Sequence, residues 1–375
     1  MRLLFAIKGL HQSAGGAERV ICDVSSYLAD HCAHNVSLLT FDAPENNSFY
    51  PVSSAVQMIS LGIGDVRAPT SLSVFLQRIL TLRRVVSLES PDVVIAFMHS
   101  TFVPMSFALI GTGVPLVASE HIVMEYYRSR PLQFALFAAA VPFLRRITVI
   151  SDVIAGEYPI WIRRKMVAVT NPLSPVFLRE VNMNQRDSFC RILAVGRFSK
   201  RKDHQTLLAA FAMISETFPK WTLRIVGDGV LRPTTQREVE RLGLQDRVSL
   251  PGIVSNVTKE MAEASFFALA SKYESFGLVF AEAMACGKAV VAFADCQGVN
   301  NMIEDGETGL LVKGVDRVKA MADGLRRLMT NEELRGSMGQ RARERVLQRF
   351  EIGHVCNRWD RILTDVRECG PACRD

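Results

Sequence analysis

Apolar positions in this chain fall into two patterns. Short continuous apolar runs alternate with longer stretches in which apolar residues recur every three or four positions. The first pattern predicts strands buried on both faces, the second amphipathic helices. Strands are predicted at residues 3–7, 36–40, 56–61, 93–97, 115–119 and 167–169. A second series falls at 191–195, 221–226, 247–252 with its turn, 265–270, 289–294 and 309–312. Helices are predicted over 17–29, 72–88 and 102–110, then over 203–217, 231–242, 257–264 and 278–285, with 316–366 helical. Strands alternating with helices predict parallel, doubly wound sheets. The alternation stops at 177–191, which is polar and aperiodic (Arg179, Glu180, Asn182, Asn184, Gln185, Arg186, Asp187), and then begins afresh. That stretch is the best linker in the chain. A length of 375 residues then suits two domains.

Composition narrows the picture. Apolar residues make up 49% of the chain, enough for substantial cores and against disorder. Forty-four Lys and Arg against 38 Asp and Glu leave a formal charge of +6. That excess suits a phosphorylated substrate or an anionic membrane surface, and is too small to indicate nucleic acid. The eight cysteines (Cys22, Cys32, Cys190, Cys286, Cys296, Cys356, Cys369, Cys373) are scattered, without a Cys-x-x-Cys pair or a histidine at zinc spacing. Free thiols in a reducing cytosol are expected. Cys369 and Cys373 could pair or bind metal at the tail, though a frayed terminus is the simpler reading. Residues 1–9 are apolar but too short for a signal peptide and lack a cleavage site. The longest apolar run, 132–144, contains Pro142 and is too short to span a bilayer. A cytoplasmic protein is expected.

The densest chemistry lies between Ser265 and Ala294, which reads as strand, loop, helix, strand, with Gly287 placed as a C-cap glycine. Glu274 falls in the loop and Glu282 about one turn inside the helix. The amides of Phe276, Gly277 and Leu278 open the helix N-terminus, which suits a phosphate. Ligands of open α/β sheets bind at the carboxyl ends of strands. One carboxylate could hold sugar hydroxyls and the other those of a ribose. From spacing alone the simpler reading is a loop charge and a solvated helix charge.

Three further sites carry chemistry. Strand 191–195 ends in Gly196-Arg197-Phe198-Ser199-Lys200-Arg201-Lys202-Asp203. Arginine can fork two phosphate oxygens and lysine can neutralise them as a point charge; a solvated charge run is the alternative. Lys200 and Arg201 are expected to point elsewhere on an extended loop. Gly227-Asp228-Gly229 caps the next strand. Near the start, Gly15-Gly16 between strand and helix allows positive φ and a close ligand approach, or makes a tight turn alone. It is neither a dinucleotide fingerprint nor a P-loop. His121, in Ser119-Glu120-His121 at a strand end, faces a cleft in this architecture or is structural.

Ser271-x-x-Glu274-x-Phe276-Gly277, then a helix, then Ala285-x-Gly287-x-Ala289-Val290-Val291-Ala292 closely resembles the donor-site signature of retaining GT-B glycosyltransferases, especially family 4. Gly15-Gly16-Ala17-Glu18-Arg19 resembles the acceptor-side loop of bacterial members, and Gly196-Arg197-x4-Lys202 their diphosphate site. Ser119-Glu120-His121 resembles the strand end whose histidine contacts the donor sugar, and Asn171-Pro172 the turn closing the first domain. The motifs stand in the family's order over nearly the whole chain. Asn301 departs from it, because the family usually has a carboxylate there, so Asn300 and Asn301 are given no role.

The resemblance implies an α/β GT-B fold: two Rossmann-like doubly wound domains with a cleft between them. Residues 1–178 would bind acceptor and 179–352 the nucleotide-sugar, and 353–375, with Trp359, would form a helix crossing back onto the first domain. It implies Glu274 on the donor sugar, Glu282 on the ribose, Arg197 and Lys202 on the diphosphate, and Gly227, Phe276, Gly277 and Leu278 beside the nucleotide. His121 would lie near sugar and acceptor, with the acceptor entering past Gly15 and Gly16. The implied catalytic set is His121, Glu274, Arg197 and Lys202. Retention of configuration is implied, with no cofactor and no bound metal, since those cations replace it; the sequence has no Asp-x-Asp.

The expected function is transfer of a hexose or N-acetylhexosamine from a nucleotide-diphosphate sugar, UDP-linked, to a lipid-linked saccharide in bacterial surface polysaccharide or glycan assembly. The protein would sit peripherally on the inner face of the cytoplasmic membrane. Arg78, Arg83 and Arg84, the run 132–144 with Arg145-Arg146, and Trp161-Ile162-Arg163-Arg164-Lys165 would rest on anionic headgroups. A core helix is the alternative for 132–144. Two other classes stay open: a GT-B enzyme with a soluble acceptor, and a catalytically silent nucleotide-sugar-binding protein.

Overall fold

A computed structural model describes residues 1–11, 15–64, 71–177 and 190–368. The chain divides into two compact units, Met1–Pro172 with Ile352–Asp375, and Leu173–Glu351.

The first unit is built on seven strands: β1 (Arg2–Ala6), β2 (Asn35–Thr40), β3 (Val56–Ser60), β4 (Val93–Phe97), β5 (Leu116–Glu120), β6 (Arg146–Val149) and β7 (Met166–Ala168). They pair in parallel in the order β3-β2-β1-β4-β5-β6-β7. The helices are α1 (Gly16–His31), α2 (Leu72–Glu89), α3 (His99–Ala108), α4 (Met124–Arg128), α5 (Pro131–Ala140), α6 (Asp152–Gly156) and α7 (Ile160–Arg163). All of β4 and β5 is buried, as parallel strands covered on both faces must be. The chain runs outward from β1 to β3 and restarts beside β1 at β4. That reversal leaves a crevice at the carboxyl ends of β1 and β4.

β6 was not expected. The apolar run 132–144 gives no break of period before it. In the structure the run ends in α5 and a 3₁₀ turn at Val141–Phe143, and a strand starts on the β-branched Ile147, Thr148 and Val149. The C-terminal helix (Ile352–Glu368) packs on this first unit. Asp360 Oδ1 lies 2.6 Å from His34 Nε2, and Trp359 stacks on Phe97 with centroids 6.0 Å apart.

The second unit holds β8 (Arg191–Val195), β9 (Thr222–Val226), β10 (Val248–Gly252), β11 (Phe266–Ala268), β12 (Val290–Phe293) and β13 (Leu310–Val312). They form a parallel sheet in the order β10-β9-β8-β11-β12-β13. Its helices are α8 (His204–Ser215), α9 (Arg232–Arg241), α10 (Val257–Ala262), α11 (Leu278–Ala285), α12 (Arg317–Thr330) and α13 (Glu332–Phe350). Here the order reverses between β8 and β11.

The residues flanking the expected domain boundary, 178 and 179, lie outside the described residues. The units divide earlier, after Pro172, because Leu173 N–H donates to Phe350 O at 2.8 Å and Phe177 is buried. The helical stretch 316–366 resolves into α12, α13 and the C-terminal helix. Asn331 makes the first break, its side chain accepting from Leu334 N–H at 2.8 Å as an N-cap. Among the described residues no helix is long and apolar enough to cross a membrane.

Candidate functional site

β8 and β11 are neighbours at the reversal of the second sheet, with Phe266 opposite Ile192 and Phe267 opposite Leu193. The loop after β8 carries Gly196 to Asp203, and the loop after β11 carries Ser271 to Gly277. Backbone bonds stitch these loops over the crevice. Lys272 N–H donates to Arg201 O at 2.9 Å and Glu274 N–H to Gln297 O at 3.0 Å. On the other flank Gly196 N–H donates to Val226 O at 2.9 Å, Gly227 N–H to Gly252 O at 2.8 Å, and Phe198 N–H to Asp228 O at 3.0 Å.

Lys202 Nζ meets Glu274 Oε1 at 2.7 Å, and the Ser271 hydroxyl donates to the same oxygen at 2.7 Å. Arg201 Nη1 donates to Oε2 at 2.7 Å. Glu274 and Lys202 are both buried. Burial pushes the Glu274 carboxyl up, but Lys202 and Arg201 outweigh it and hold it below the ordinary carboxylate value. Arg201 thus corrects the expectation that it points elsewhere. The loop is turned, not extended: Asp203 adopts φ 48° and donates its N–H to Ser199 O at 3.3 Å. Lys200 is exposed. Cys296 lies under the cluster, its thiol pushed up to about 12 by burial, then by Glu274.

Arg197 is exposed at the end of β8, and a Cβ added at Gly229 would lie 3.1 Å from its Cγ. Gly227 has φ 137°, and a Cβ there would meet Gly196 O at 2.2 Å, so backbone meets backbone only because residue 227 is glycine. His204, which the sequence reading passed over, is buried with Nε2 3.3 Å from Gly196 O and its ring 4.6 Å from Phe198. Burial, then Lys202, push its pKa down to about 4, so it braces the turn as a neutral ring.

Gly277 turns the chain into α11 at φ 79°, and Phe280 N–H closes back on its carbonyl at 2.8 Å. The first N–H groups of α11 have no intrahelical partner and present the positive helix end. Phe276 is buried edge-on to Phe350, centroids 5.0 Å apart. Glu282 is buried one turn into α11. The helix ends at Gly287 (φ 69°), with Gly287 N–H to Met284 O at 2.9 Å and Lys288 N–H to Ala283 O at 3.0 Å.

In the first unit His121 follows β5. Its Nε2 lies 2.9 Å from Ser119 Oγ, which accepts the Thr148 hydroxyl at 3.0 Å, and its ring stacks on Phe97 at 5.0 Å. Burial pushes it down to about 4. A neutral imidazole suits a hydroxyl partner better than a phosphate. His121 lines a small pocket with Val20, Thr148, Asn171 and Trp359. Gly16 is the first residue of α1 and Gly15 its N-cap. Gly15 does not use positive φ: its backbone is extended at φ −88°. A Cβ there would lie 2.0 Å from Glu18 Oε2, the far end of a flexible side chain that can swing aside.

Sequence reasoning assigned nothing to Glu120. It is buried, accepting from the Tyr127 hydroxyl at 2.6 Å and Ile122 N–H at 2.9 Å, and burial still pushes it up to about 7. The Tyr158 hydroxyl donates to Ile122 O at 2.9 Å, so the segment after His121 is held from both sides. His99 opens α3 after β4, its ring 5.6 Å from Tyr127; burial, Lys8 and Arg130 push it down to about 4.

Two residues expected on a membrane face are elsewhere. Arg78 is 1% exposed, donating to Ile63 O at 3.1 Å with its guanidinium 4.2 Å from the Phe41 ring centre. Lys165 Nζ donates to the carbonyls of Val141, Pro142 and Leu144 at 2.9, 3.3 and 2.8 Å. Arg83, Arg84, Arg146, Arg163 and Arg164 are exposed. On α2, Leu72, Leu76 and Leu80 are also exposed, four residues apart on one face, as are Leu132 and Leu136 on α5. The run 132–144 is core on one side only, burying Phe137, Ala140, Val141 and Leu144.

A family model described as Glycosyltransferase Family 4 matches residues 14–165, and one described as Glycosyl transferases group 1 matches residues 183–345. The chain is 27% identical over 374 residues to the Campylobacter jejuni GalNAc-alpha-(1->4)-GalNAc-alpha-(1->3)-diNAcBac-PP-undecaprenol alpha-1,4-N-acetyl-D-galactosaminyltransferase, covering 98% of this chain and 99% of that one. It is 35% identical over 176 residues to N-acetyl-alpha-D-glucosaminyl L-malate synthase of Bacillus anthracis, covering 47% of this chain and 45% of that one. Among solved structures, HepE of Anabaena in complex with UDP and glucose aligns with a TM-score of 0.75 at 19% identity, over 97% of this chain and 100% of that one. Sucrose-phosphate synthase of Thermosynechococcus elongatus aligns with a TM-score of 0.80 at 20% identity, over 99% of this chain and 100% of that one. Both share the fold of two parallel-sheet, Rossmann-like domains. With one family model on each sheet unit and a full-length transferase relative, the chain belongs to the GT-B glycosyltransferases of the family 4 type.

Proposed function

We propose that this chain moves a hexose or N-acetylhexosamine from a UDP-linked donor to a lipid-linked saccharide, with retention of configuration, in bacterial surface polysaccharide or glycan assembly. One observation carries the reading: Lys202 and Glu274 meet at 2.7 Å over the reversal of the second sheet, where doubly wound sheets bind their ligands. Breaking the glycosidic bond leaves negative charge on the diphosphate. Lys202, Arg197 and the amides opening α11 stabilise that charge as it grows. This cationic set stands in for a divalent ion, and the reaction needs none.

Glu274 as a carboxylate only accepts hydrogen bonds, which suits sugar hydroxyls. Glu282 takes the ribose hydroxyls, and the turn at Gly227 lies beside the nucleotide. His121, neutral, takes a sugar hydroxyl, and the acceptor enters along Gly15-Gly16. The C. jejuni relative, named for an undecaprenol-linked acceptor, supports a lipid-linked saccharide over the full chain length. HepE with UDP and glucose supports the nucleotide. Exposed Arg83, Arg84 and Arg146, with the leucines of α2 and α5, support peripheral attachment to the cytoplasmic face of an anionic membrane.

A soluble acceptor is the second reading, favoured by the B. anthracis relative named for L-malate. A thermal-shift screen of UDP-sugars, followed by turnover of the selected donor in excess EDTA, tests the donor assignment. A UDP-sugar is expected to raise the melting temperature by mass action, and turnover to survive EDTA. If no UDP compound shifts melting, or manganese alone restores lost turnover, the reading fails at that step. Membrane fractionation separates the two acceptors.

A further inference from the structure

The two cations on Glu274 are not equivalent. A Cβ added at Gly196 would lie 3.4 Å from Lys202 Nζ, so the ammonium sits at the carboxyl end of β8. That is where the reading above places the diphosphate. Arg201 sits farther out, with its side chain 37% exposed and its guanidinium 5.9 Å from the Tyr273 ring centre.

A lysine ammonium is a flexible point charge with three donors, and can turn from a carboxylate to a phosphate. Once it turns, Glu274 keeps only the neutral Ser271 hydroxyl on Oε1. A buried carboxylate stripped of its cation is strongly disfavoured. Arg201 stays behind on Oε2, and its backbone is tied to the same loop by Lys272 N–H.

We propose that Arg201 is a positioning residue of the donor site, keeping Glu274 charged and in place when the donor's diphosphate draws Lys202 away. The proposal rests on the donor-site reading of the previous subsection. The groups facing Glu274 are Lys202, Arg201, the Ser271 hydroxyl and the Cys296 thiol, with the Lys272–Asp203 pair (3.8 Å) on the flanking loops and Asp295 beside Cys296. Cys296 stays protonated, its thiol pushed up to about 12 by burial.

The test measures binding of UDP, UDP-glucose, UDP-N-acetylglucosamine and UDP-N-acetylgalactosamine to the full chain by calorimetry from about pH 4 to about pH 8. The readout is the sugar increment, the affinity of the best-bound UDP-sugar divided by that of UDP. Removing one opposite charge raises a carboxyl's pKa, so in Arg201→Ala the increment falls on the acid side, with a midpoint about one pH unit above wild type. It recovers by about pH 7, and Arg201→Lys restores the wild-type profile. An increment lowered equally at every pH, or a profile matching wild type, overturns the proposal. So does a loss of UDP affinity in Arg201→Ala that Lys202→Ala does not show, because the diphosphate then lies on Arg201. Arg201→Gln reports the same profile should the alanine variant fold poorly. If wild type binds no UDP compound at any pH, the donor reading fails and this proposal falls with it.

Discussion

The Tyr127 hydroxyl donates to Glu120 at 2.6 Å with neither side chain open to solvent. Burial pushes Glu120 from 4.5 to about 7. The native state therefore binds more protons than the unfolded chain between those values. The stability this gives is present on the acid side and is lost as pH rises through the window. A gap of this size corresponds to about 3 kcal/mol as an order of magnitude. Glu120→Gln keeps an acceptor for Tyr127 and removes the charge. Thermal unfolding from pH 5 to pH 8 should show wild type losing stability relative to Glu120→Gln as pH rises. Parallel curves would contradict the assignment.

Lys202→Ala should lower turnover by roughly 3 kcal/mol, about a hundredfold, because the cation acts on charge that grows in the transition state. Donor affinity should fall less. Lys200, exposed and outside the cluster, is the control: Lys200→Ala should leave turnover near wild type. Steady-state kinetics with a fixed acceptor decides. A crippled Lys200→Ala beside a normal Lys202→Ala moves the diphosphate off Lys202.

Glu274 and Glu282 should separate by ligand. Glu282→Gln is expected to weaken free UDP and UDP-sugar alike, as loss of a ribose contact must. Glu274→Gln should leave free UDP almost unchanged and lower turnover. Titration calorimetry with both ligands checks this, and equal effects on free UDP would refute the division of labour.

Sedimentation with anionic vesicles should report two components of membrane binding. Replacing Arg83, Arg84, Arg145 and Arg146 by glutamine should remove a salt-sensitive part on the order of 1 kcal/mol per arginine. Serine at Leu72, Leu76 and Leu80 should remove a salt-insensitive part. Arg78→Ala should instead lower the melting temperature, because it vacates a buried site against Phe41. Wild-type binding indifferent to salt rejects the electrostatic component.

Apart from β6, the strand order of both sheets could be read from the chain, because most of the short apolar runs end at a glycine, proline or charged loop. Lys202 and Glu274, which the fold brings to 2.7 Å, were each singled out by motif spacing, which survives without coordinates. The rest depended on packing. Arg78 occupies a helix position that looks solvated, and only the Phe41 ring and the Ile63 carbonyl make it interior. β6 follows an apolar run with no change of period to announce it. Arg201 looked like a spectator because a string of residues carries no direction, whereas the turn at Asp203 aims its side chain back at Glu274. Gly15 was read for torsional freedom, and its backbone is extended instead.

The Gly196 carbonyl has a consequence for how this enzyme can change over generations. It stands 2.2 Å from where any side chain at Gly227 would begin, and the buried His204 ring leans on it at 3.3 Å. Positions 204 and 227 thus converge on one backbone oxygen, and changing either alone passes through a lost bond or a collision. New donor preferences should therefore arise around this knot, from residues whose side chains leave that oxygen untouched, and the knot itself should be inherited whole.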